Sequence, residues 1–231
     1  GQTIHIADFN CNTNLDIYAG KTIYNLDDGG SGESTFSNDT ADDYHCNAVA
    51  TFAAGNDTTG TNKFRGVAPD ADLVLSSIPD TGGTYSADDY AADLDAARGY
   101  GAIASNHSWG FADATDSDGN ATSHYDATEF QSFYDTYKSN YSLDVLAGIK
   151  FHNNSSSSFN STQTGVFQDY IKALDDFQST GVIVFANGNM VGDSDASFIA
   201  ALPVWYNGGT DGEGNSAEDL SDAWLTVLYA D

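Results

Sequence analysis

Residues 42–55, DDYHCNAVATFAAG, hold the short apolar helix around which we expect the fold to be organised. Two aspartates precede its first turn as suitable caps, and Gly55 is expected to end it in a left-handed conformation. The helix places His45 at its mouth, where a catalytic base can sit; the plain alternative is a core helix whose histidine has no role. Its apolar residues recur at helical spacing and predict one buried face: Ala48, Val49, Phe52 and Ala53.

Apolar runs of strand length lie on both sides of this helix. Residues 3–8 precede it and end in an aspartate, residues 22–24 form a weaker strand, and residues 73–78 follow the helix. The alternation of strands and helices predicts one α/β domain over residues 1–231, with a mainly parallel sheet and helices on both faces. Residues 111–163 form an irregular, insertion-like region within it. The other predicted elements are helices at 86–99, 127–139 and 167–177, strands at 102–110 and 182–186, and a buried last strand at 223–229.

The charge of the chain restricts its partners. Its 231 residues carry 34 acidic and 7 basic side chains, a net charge of -27, and only four of the acids are glutamates. Such a surface repels phosphate backbones and anionic membranes, which argues against nucleic-acid and lipid partners. No apolar run approaches the ~18 residues of a membrane span, so we expect no membrane insertion. The charge suits a protein that is secreted or at the cell surface in salty water, although most of these aspartates need be no more than solvated.

Three polar residues follow or open elements of the predicted sheet. Asp8 ends the first strand, His45 opens the helix, and Asn189 follows the strand at 182–186. In parallel sheets such positions meet at the carboxyl edge. An aspartate that orients a histidine, a histidine that removes a proton, and an asparagine that donates to an oxyanion are parts of a serine hydrolase.

Six segments in order along the chain resemble the subtilisin-like serine proteases, the subtilases. The resemblance implies a subtilisin-like fold and a secreted serine endopeptidase that hydrolyses peptide bonds, with Asp8, His45 and Asn189 in the roles given above. The last strand is also similar to one in subtilases carried by bacterial autotransporters. The six segments are the aspartate strand at 4–8, the histidine helix at 45–50, the Gly-Val-Ala-Pro turn at 66–71, the glycine loop at 81–86, the strand at 106–110 and the oxyanion segment at 181–189.

The resemblance also assigns a substrate-binding cleft. Two backbone segments would hold an extended peptide or protein substrate as an added strand. Asn187 stands where the family has a small residue, near the base of the primary specificity pocket, and could narrow that pocket or add polarity. The residues assigned to the two segments are Gly82, Gly83, Ser108, Trp109 and Gly110.

The nucleophile of the family has no counterpart in this sequence. No Gly-Thr-Ser-Met-Ala segment is present, and Ser216 imitates it only in a Gly/Asp/Glu loop before the last strand, so we reject Ser216. Three explanations stay open: the serine lies beyond residue 231, it lies on a C-terminal fragment processed from the same precursor, or the protein is a serine-less relative. The last would be a catalytically inactive structural or adhesive module of a surface assembly.

Two cysteines permit one disulfide. A bond between Cys11 and Cys46 would tie the loop after Asp8 to the first turn of the helix and would imply an oxidising, exported location. Two separate small packing residues are the alternative. Of the other histidines, His107 is assigned a packing role, and we predict no partner for His5 or His152.

An aspartate-rich loop offers the oxygen ligands that calcium takes. Asp113, Asp116 and Asp118 are the candidate ligands, and an ordinary solvated acidic loop is the alternative. We expect no organic cofactor.

Overall fold

The computed structural model describes residues 1–9, 15–26, 44–57, 64–78, 87–110, 112–115, 121–124, 126–152, 161–187, 197–208 and 218–227. In these residues six strands form one parallel sheet in the order β2-β3-β1-β4-β7-β8, and β5 and β6 form an antiparallel pair. The elements are β1 Thr3–Phe9, β2 Ile23–Leu26, α1 Tyr44–Ala54, β3 Asp72–Ile78, α2 Ala87–Gly99, β4 Ala102–His107, β5 Ala112–Thr115, β6 Ala121–His124, α3 Ala127–Tyr137, α4 Leu143–His152, α5 Ser161–Gln178, β7 Val182–Ala186 and β8 Trp224–Val227.

Helices cover both faces of the sheet. On one face α1 packs against β1 and β3; on the other α2 packs against β4 and α5 against β7, with α2 and α4 packed on α5. Alternate side chains of each strand point to opposite faces, so Ile6 of β1 joins the core beneath α1 while Ala7 joins the core beneath α2 and α5. The predicted α/β architecture, a parallel sheet with helices on both faces, is confirmed.

The buried face of α1 differs from the prediction. Phe52 is 66% exposed and Ala48 is exposed, whereas Cys46, Ala50 and Ala54 are fully buried against the sheet. These residues recur every four positions and are all small, so the helix axis can lie close to the strands. The sequence pattern favoured the larger apolar residues, but close helix–sheet packing selected the small ones.

The helix also ends differently from the prediction. Gly55 does not adopt the left-handed conformation, which among the described glycines occurs at Gly20, Gly101 and Gly208. A Cβ on Gly55 would lie 2.7 Å from the carbonyl oxygen of Thr51, so the position needs glycine for its size. The predicted aspartate caps lie outside the described residues.

Two further regions depart from the expected pattern. Among the strands that the structure describes, the last one lies at the edge of the sheet, and it is not buried, since Leu225 and Val227 are 56% and 55% exposed. Within residues 111–163 the structure describes the β5–β6 pair, α3, α4 and the start of α5. Of these, α3 was expected and α4 was not. None of the helices among the described residues has the length and apolarity to cross a membrane.

Candidate active site

Three central strands end together at the carboxyl edge of the sheet. Ala7 of β1 is paired with His107 of β4, and His107 is paired with Phe185 of β7. Ser108, the first residue after β4, therefore comes beside Asp8, which is still paired with Ser77 of β3. This register brings the predicted acid to the same edge as one predicted substrate-binding segment.

Asp8 and His45 form the hydrogen bond that the sequence predicts. Nδ1 of His45 lies 2.7 Å from Oδ1 of Asp8. Asp8 is fully buried on β1, whereas the side chain of His45, in the first turn of α1, is 50% exposed. A proton on Nδ1 leaves Nε2 of the neutral ring as an acceptor. The pair therefore has the geometry of a base oriented by a buried carboxylate.

The Asp8 carboxylate changes the pKa of His45. The pKa of His45 is raised above its ordinary value, chiefly by the hydrogen bond to Asp8, and partial burial opposes that increase. The carboxylate therefore stabilises the imidazolium that forms when the ring accepts a proton. This is the property required of a histidine that removes a proton from a nucleophile and later returns it.

Part of the predicted cleft is described. The hydroxyl of Ser108 accepts a hydrogen bond of 2.8 Å from the side-chain amide of Asn106, and Trp109 is buried against the ring of Tyr90. Asn187 is also buried, and its side-chain oxygen accepts a hydrogen bond of 3.2 Å from the backbone N–H of Ser197. The amide oxygen at the predicted pocket base is therefore engaged by a neighbouring segment.

Five other predicted site residues lie outside the described residues, so their roles stay predictions: Asn189, Gly82, Gly83, Asp116 and Asp118. Asp113 lies on β5, where only the backbone is described. Elsewhere in the described ranges, no three His, Cys, Asp or Glu side chains form a group that could hold a metal ion.

The predicted disulfide is described at one end only. Cys46 is fully buried in α1 and packs in the core beneath that helix. Cys11 lies outside the described residues, so its pairing with Cys46 also stays a prediction.

A buried polar cluster on the opposite face of the sheet was not anticipated. His5, Ser76, Ser105 and His107 are at most 1% exposed and are linked by hydrogen bonds that reach the indole of Trp109. Sequence indicated only that these residues occupy alternate positions of strands. Their meeting depends on β1 lying between β3 and β4, which local patterns do not reveal.

Comparisons with known proteins place the chain in a family. The model of the subtilase family of peptidases matches residues 1–231. No curated protein matches the chain. Among solved structures, a serine-to-alanine mutant of the protease domain of PatA gives a TM-score of 0.48 at 15% identity, covering 81% of this chain and 50% of that one.

Two other solved structures are similar to the same extent. The prenylagaramide maturation protease PagA gives a TM-score of 0.48 at 15% identity, covering 98% of this chain and 62% of its own. MycP1 with the N-terminal propeptide removed gives a TM-score of 0.44 at 20% identity, and the match covers 84% of this chain and 45% of the MycP1 chain. The chain thus spans between 45% and 62% of the length of these three structures. Since the family match extends over all of residues 1–231, this chain belongs to the subtilase family.

Proposed function

We propose that this chain is part of a secreted or cell-surface serine endopeptidase that hydrolyses peptide bonds of peptide or protein substrates. The observation that carries the proposal is the 2.7 Å hydrogen bond between half-exposed His45 and buried Asp8 at the carboxyl edge of the sheet. Membership of the subtilase family supports the same reaction class. The strongly acidic surface supports export, because screening by salt reduces its self-repulsion.

Each residue has a defined role in this proposal. His45 removes the proton from a serine hydroxyl and then protonates the leaving amine. Asp8 holds the ring with its proton on Nδ1 and stabilises the imidazolium. Asn189 donates to the oxyanion that develops on the scissile carbonyl. The support for Asn189 is its position two residues after Asn187, which follows β7 at the carboxyl edge.

The nucleophilic serine is proposed to lie outside residues 1–231, on a C-terminal segment of the same precursor that is either continuous with this chain or processed from it. The sequence contains no Gly-Thr-Ser-Met-Ala segment to carry it. The exposed apolar side chains of Leu225 and Val227 on edge strand β8 provide a surface for such a segment. Besides the substrate, the reaction thus requires this C-terminal segment.

Substrate binding and stabilisation complete the proposal. An extended peptide pairs as an added strand with the backbone of residues 108–110, opposite Gly82 and Gly83. A disulfide between Cys46 and Cys11 fixes the first turn of α1 to the loop after Asp8; its support is that Cys46 is buried and is not a free cysteine. Calcium bound near Asp113 is a further proposal, supported only by the oxygen-rich sequence of residues 113–118.

Hydrolysis of an unfolded protein substrate by the complete, folded precursor product tests the proposal. We expect the wild-type protein to release peptides, and we expect the rate of release by the His45→Ala variant to be lower by at least ~10³-fold. The matched control is His152→Ala, which replaces a histidine to which no role is assigned. Equal rates for wild type and His45→Ala, or no release by wild type, would contradict the function.

A further inference from the structure

A chain of four hydrogen bonds crosses the core beneath α2 and α5 and ends at the predicted substrate-binding segment. Nε2 of His5 lies 2.7 Å from the hydroxyl of Ser76, and Nδ1 of His5 lies 2.8 Å from the hydroxyl of Ser105. The same Ser105 hydroxyl lies 2.9 Å from Nε2 of His107. The indole N–H of Trp109 donates across 3.3 Å to Nδ1 of His107.

The direction of the chain follows from the indole. Trp109 can only donate, so Nδ1 of His107 must accept, and the proton of the neutral ring lies on Nε2. His107 therefore donates to Ser105, whose own proton is left for Nδ1 of His5. His5 then carries its proton on Nε2 and donates to Ser76. Every ring nitrogen in the chain is used in one consistent arrangement.

Burial keeps both rings in the neutral form that this arrangement needs. His5 is fully buried, and burial lowers its pKa to about 3. The pKa of His107 also lies well below its ordinary value, first because of burial and second because His5 is near. At neutral pH the acceptor at Nδ1 of His107 is therefore always available to the indole.

The ring of Trp109 is held on two other sides by aromatic contacts. It stacks on Tyr90 of α2 with ring centroids 4.9 Å apart and meets the edge of Phe185 of β7 at 5.5 Å. His107 itself stacks on Phe185 at 4.4 Å with an interplanar angle of 11°. The hydrogen bond to His107 is thus a directional restraint on a buried ring that these two aromatic contacts also hold.

Trp109 lies where the polypeptide leaves the sheet at the end of β4. His107 is the last residue of β4 and is paired with Ala7, so Ser108 comes directly beside Asp8. The backbone of residues 108–110 therefore begins beside the Asp8–His45 pair, and a displacement of Trp109 would shift it from that position. Peptide hydrolysis is sensitive to displacements of about 1 Å in such segments.

We propose that His107 is a positioning residue for peptide binding, which fixes the course of residues 108–110 by accepting the indole proton of Trp109. The inference rests on the proposed function, in which those residues pair with an extended substrate. His107 touches neither substrate nor the reacting atoms. It acts through Trp109, and its effect is on the binding of extended peptides rather than on the chemical step.

The test compares two variants of the complete protein that remove one buried histidine each. His107→Phe keeps the stacking on Phe185 and removes the acceptor, whereas His5→Phe removes the far end of the chain and leaves the bond between Trp109 and His107. For a tetrapeptide p-nitroanilide we expect His107→Phe to raise KM about tenfold with kcat nearly unchanged. We expect His5→Phe to leave KM within about twofold, and hydrolysis of p-nitrophenyl acetate, which does not use the strand pairing, to be equal in all three proteins.

A spectroscopic measurement separates this inference from the proposed function. The indole N–H resonance of Trp109 in a ¹⁵N–¹H NMR spectrum is identified by its loss in Trp109→Phe. We expect it to move in His107→Phe and to stay in place in His5→Phe, because only the first loses the acceptor. This result is independent of hydrolysis, so an inactive wild type would overturn the protease proposal while the resonance still decides whether Trp109 donates to His107.

Several outcomes would overturn the role of His107. These are an unmoved resonance in His107→Phe, an unchanged KM in that variant, and equal KM increases in both histidine variants. If His107→Phe does not fold, His107→Asn retains an acceptor near the position of Nδ1 and should keep the wild-type KM. In the same case Trp109→Phe removes the hydrogen bond from its other end; a raised KM supports the inference, and an unchanged one contradicts it.

Discussion

Oδ1 of Asp8 accepts a hydrogen bond of 2.7 Å from Nδ1 of His45, which joins the end of the central strand β1 to the first turn of α1. The two residues are 37 positions apart in the chain. The carboxylate is fully buried, and the imidazole, whose Nδ1 is bound to it, is half-exposed.

Replacing Asp8 by asparagine removes the charge and preserves the size of the side chain. We expect Asp8→Asn to lower kcat by about 10⁴, because the ring loses the partner that holds its proton on Nδ1. The pKa of His45, followed by NMR, should fall, since the hydrogen bond to Asp8 is the main cause of its increase. Asp95→Asn, which breaks an exposed pair with Arg98, is the control and should change neither quantity. An unchanged kcat in Asp8→Asn would remove the acid from the mechanism.

The same contact sets the acid limb of the pH–rate profile. His45 must be neutral to remove a proton, and its pKa is raised above 6.5, so activity should fall with a midpoint above pH 6.5 as the solution is acidified. The profile of kcat/KM for a peptide substrate measures this midpoint in the free enzyme. A midpoint below 6.5 would show that a group other than His45 limits the rate.

Asn189→Ala tests the proposed oxyanion donor. Loss of one such donor costs about 10²–10³ in kcat, with a small effect on KM, because the interaction is made in the transition state. Steady-state kinetics on a peptide substrate separate the two constants. Asn25→Ala, at an exposed position of β2, is the control and should match wild type. A loss that appears only in KM would exclude the oxyanion role.

The buried histidines predict instability in acid. Unfolded histidine binds a proton near pH 6.5, whereas His5 in the folded protein does so only at about 3, so the unfolded state binds more protons between these values. The free energy of unfolding should therefore fall as pH is lowered from 6.5, by up to about 1.4 kcal/mol per pH unit for each such histidine. Urea denaturation at several pH values should give a shallower acid dependence for His5→Phe than for wild type.

His45 provides the control for that experiment, because its pKa shift has the opposite sign. A raised pKa contributes stability that is present below pH 6.5 and is lost as pH rises through the folded-state value. His45→Ala should therefore not flatten the acid dependence. If His5→Phe and wild type have the same slope between pH 6 and 4, His5 is not held neutral by burial.

Gly66 tests the close packing at the end of α1. A Cβ there would lie 2.6 Å from the carbonyl oxygen of Thr51 and 2.8 Å from the backbone nitrogens of Ala54 and Gly55. These are backbone atoms, so Gly66→Ala should lower the free energy of unfolding by about 1–3 kcal/mol in urea denaturation. The control is Gly99→Ala at the end of α2, where a Cβ meets nothing within 4 Å and stability should be unchanged or higher by up to about 1 kcal/mol. Equal stabilities of the two variants would contradict the tight contact.

The sequence predicted the structure correctly in the elements where local hydrophobic spacing agrees with tertiary packing. The strand ending in Asp8 and the helix opening with His45 were both predicted, and their contact followed from the rule that functional groups gather at the carboxyl edge of a parallel sheet. The apolar spacing in α5 similarly marked the residues that are buried there, among them Phe167 and Phe177. In these elements hydrophobic periodicity and tertiary packing agree.

The failures arose where three-dimensional proximity decided the outcome. The face of α1 was misassigned because residue size at the sheet, seen at Ala50 and Ala54, outweighed hydrophobicity at Phe52. The hydrogen-bonded chain through His5 and His107 was missed because each histidine lies on a different strand, and only the strand order brings them together. For His5 and His107, the one signal in the sequence was a polar residue at an inward-facing strand position.

In the proposed mechanism, Asp8 and His45 activate a serine nucleophile that lies outside residues 1–231. Labelling of the complete, folded protein with a fluorophosphonate probe, followed by mapping of the modified peptide, tests it most directly. We expect one labelled serine in a segment C-terminal to residue 231 or on its processed fragment, with labelling abolished in His45→Ala and retained in His152→Ala. No label on the intact folded protein, or a label that persists without His45, would contradict the claim.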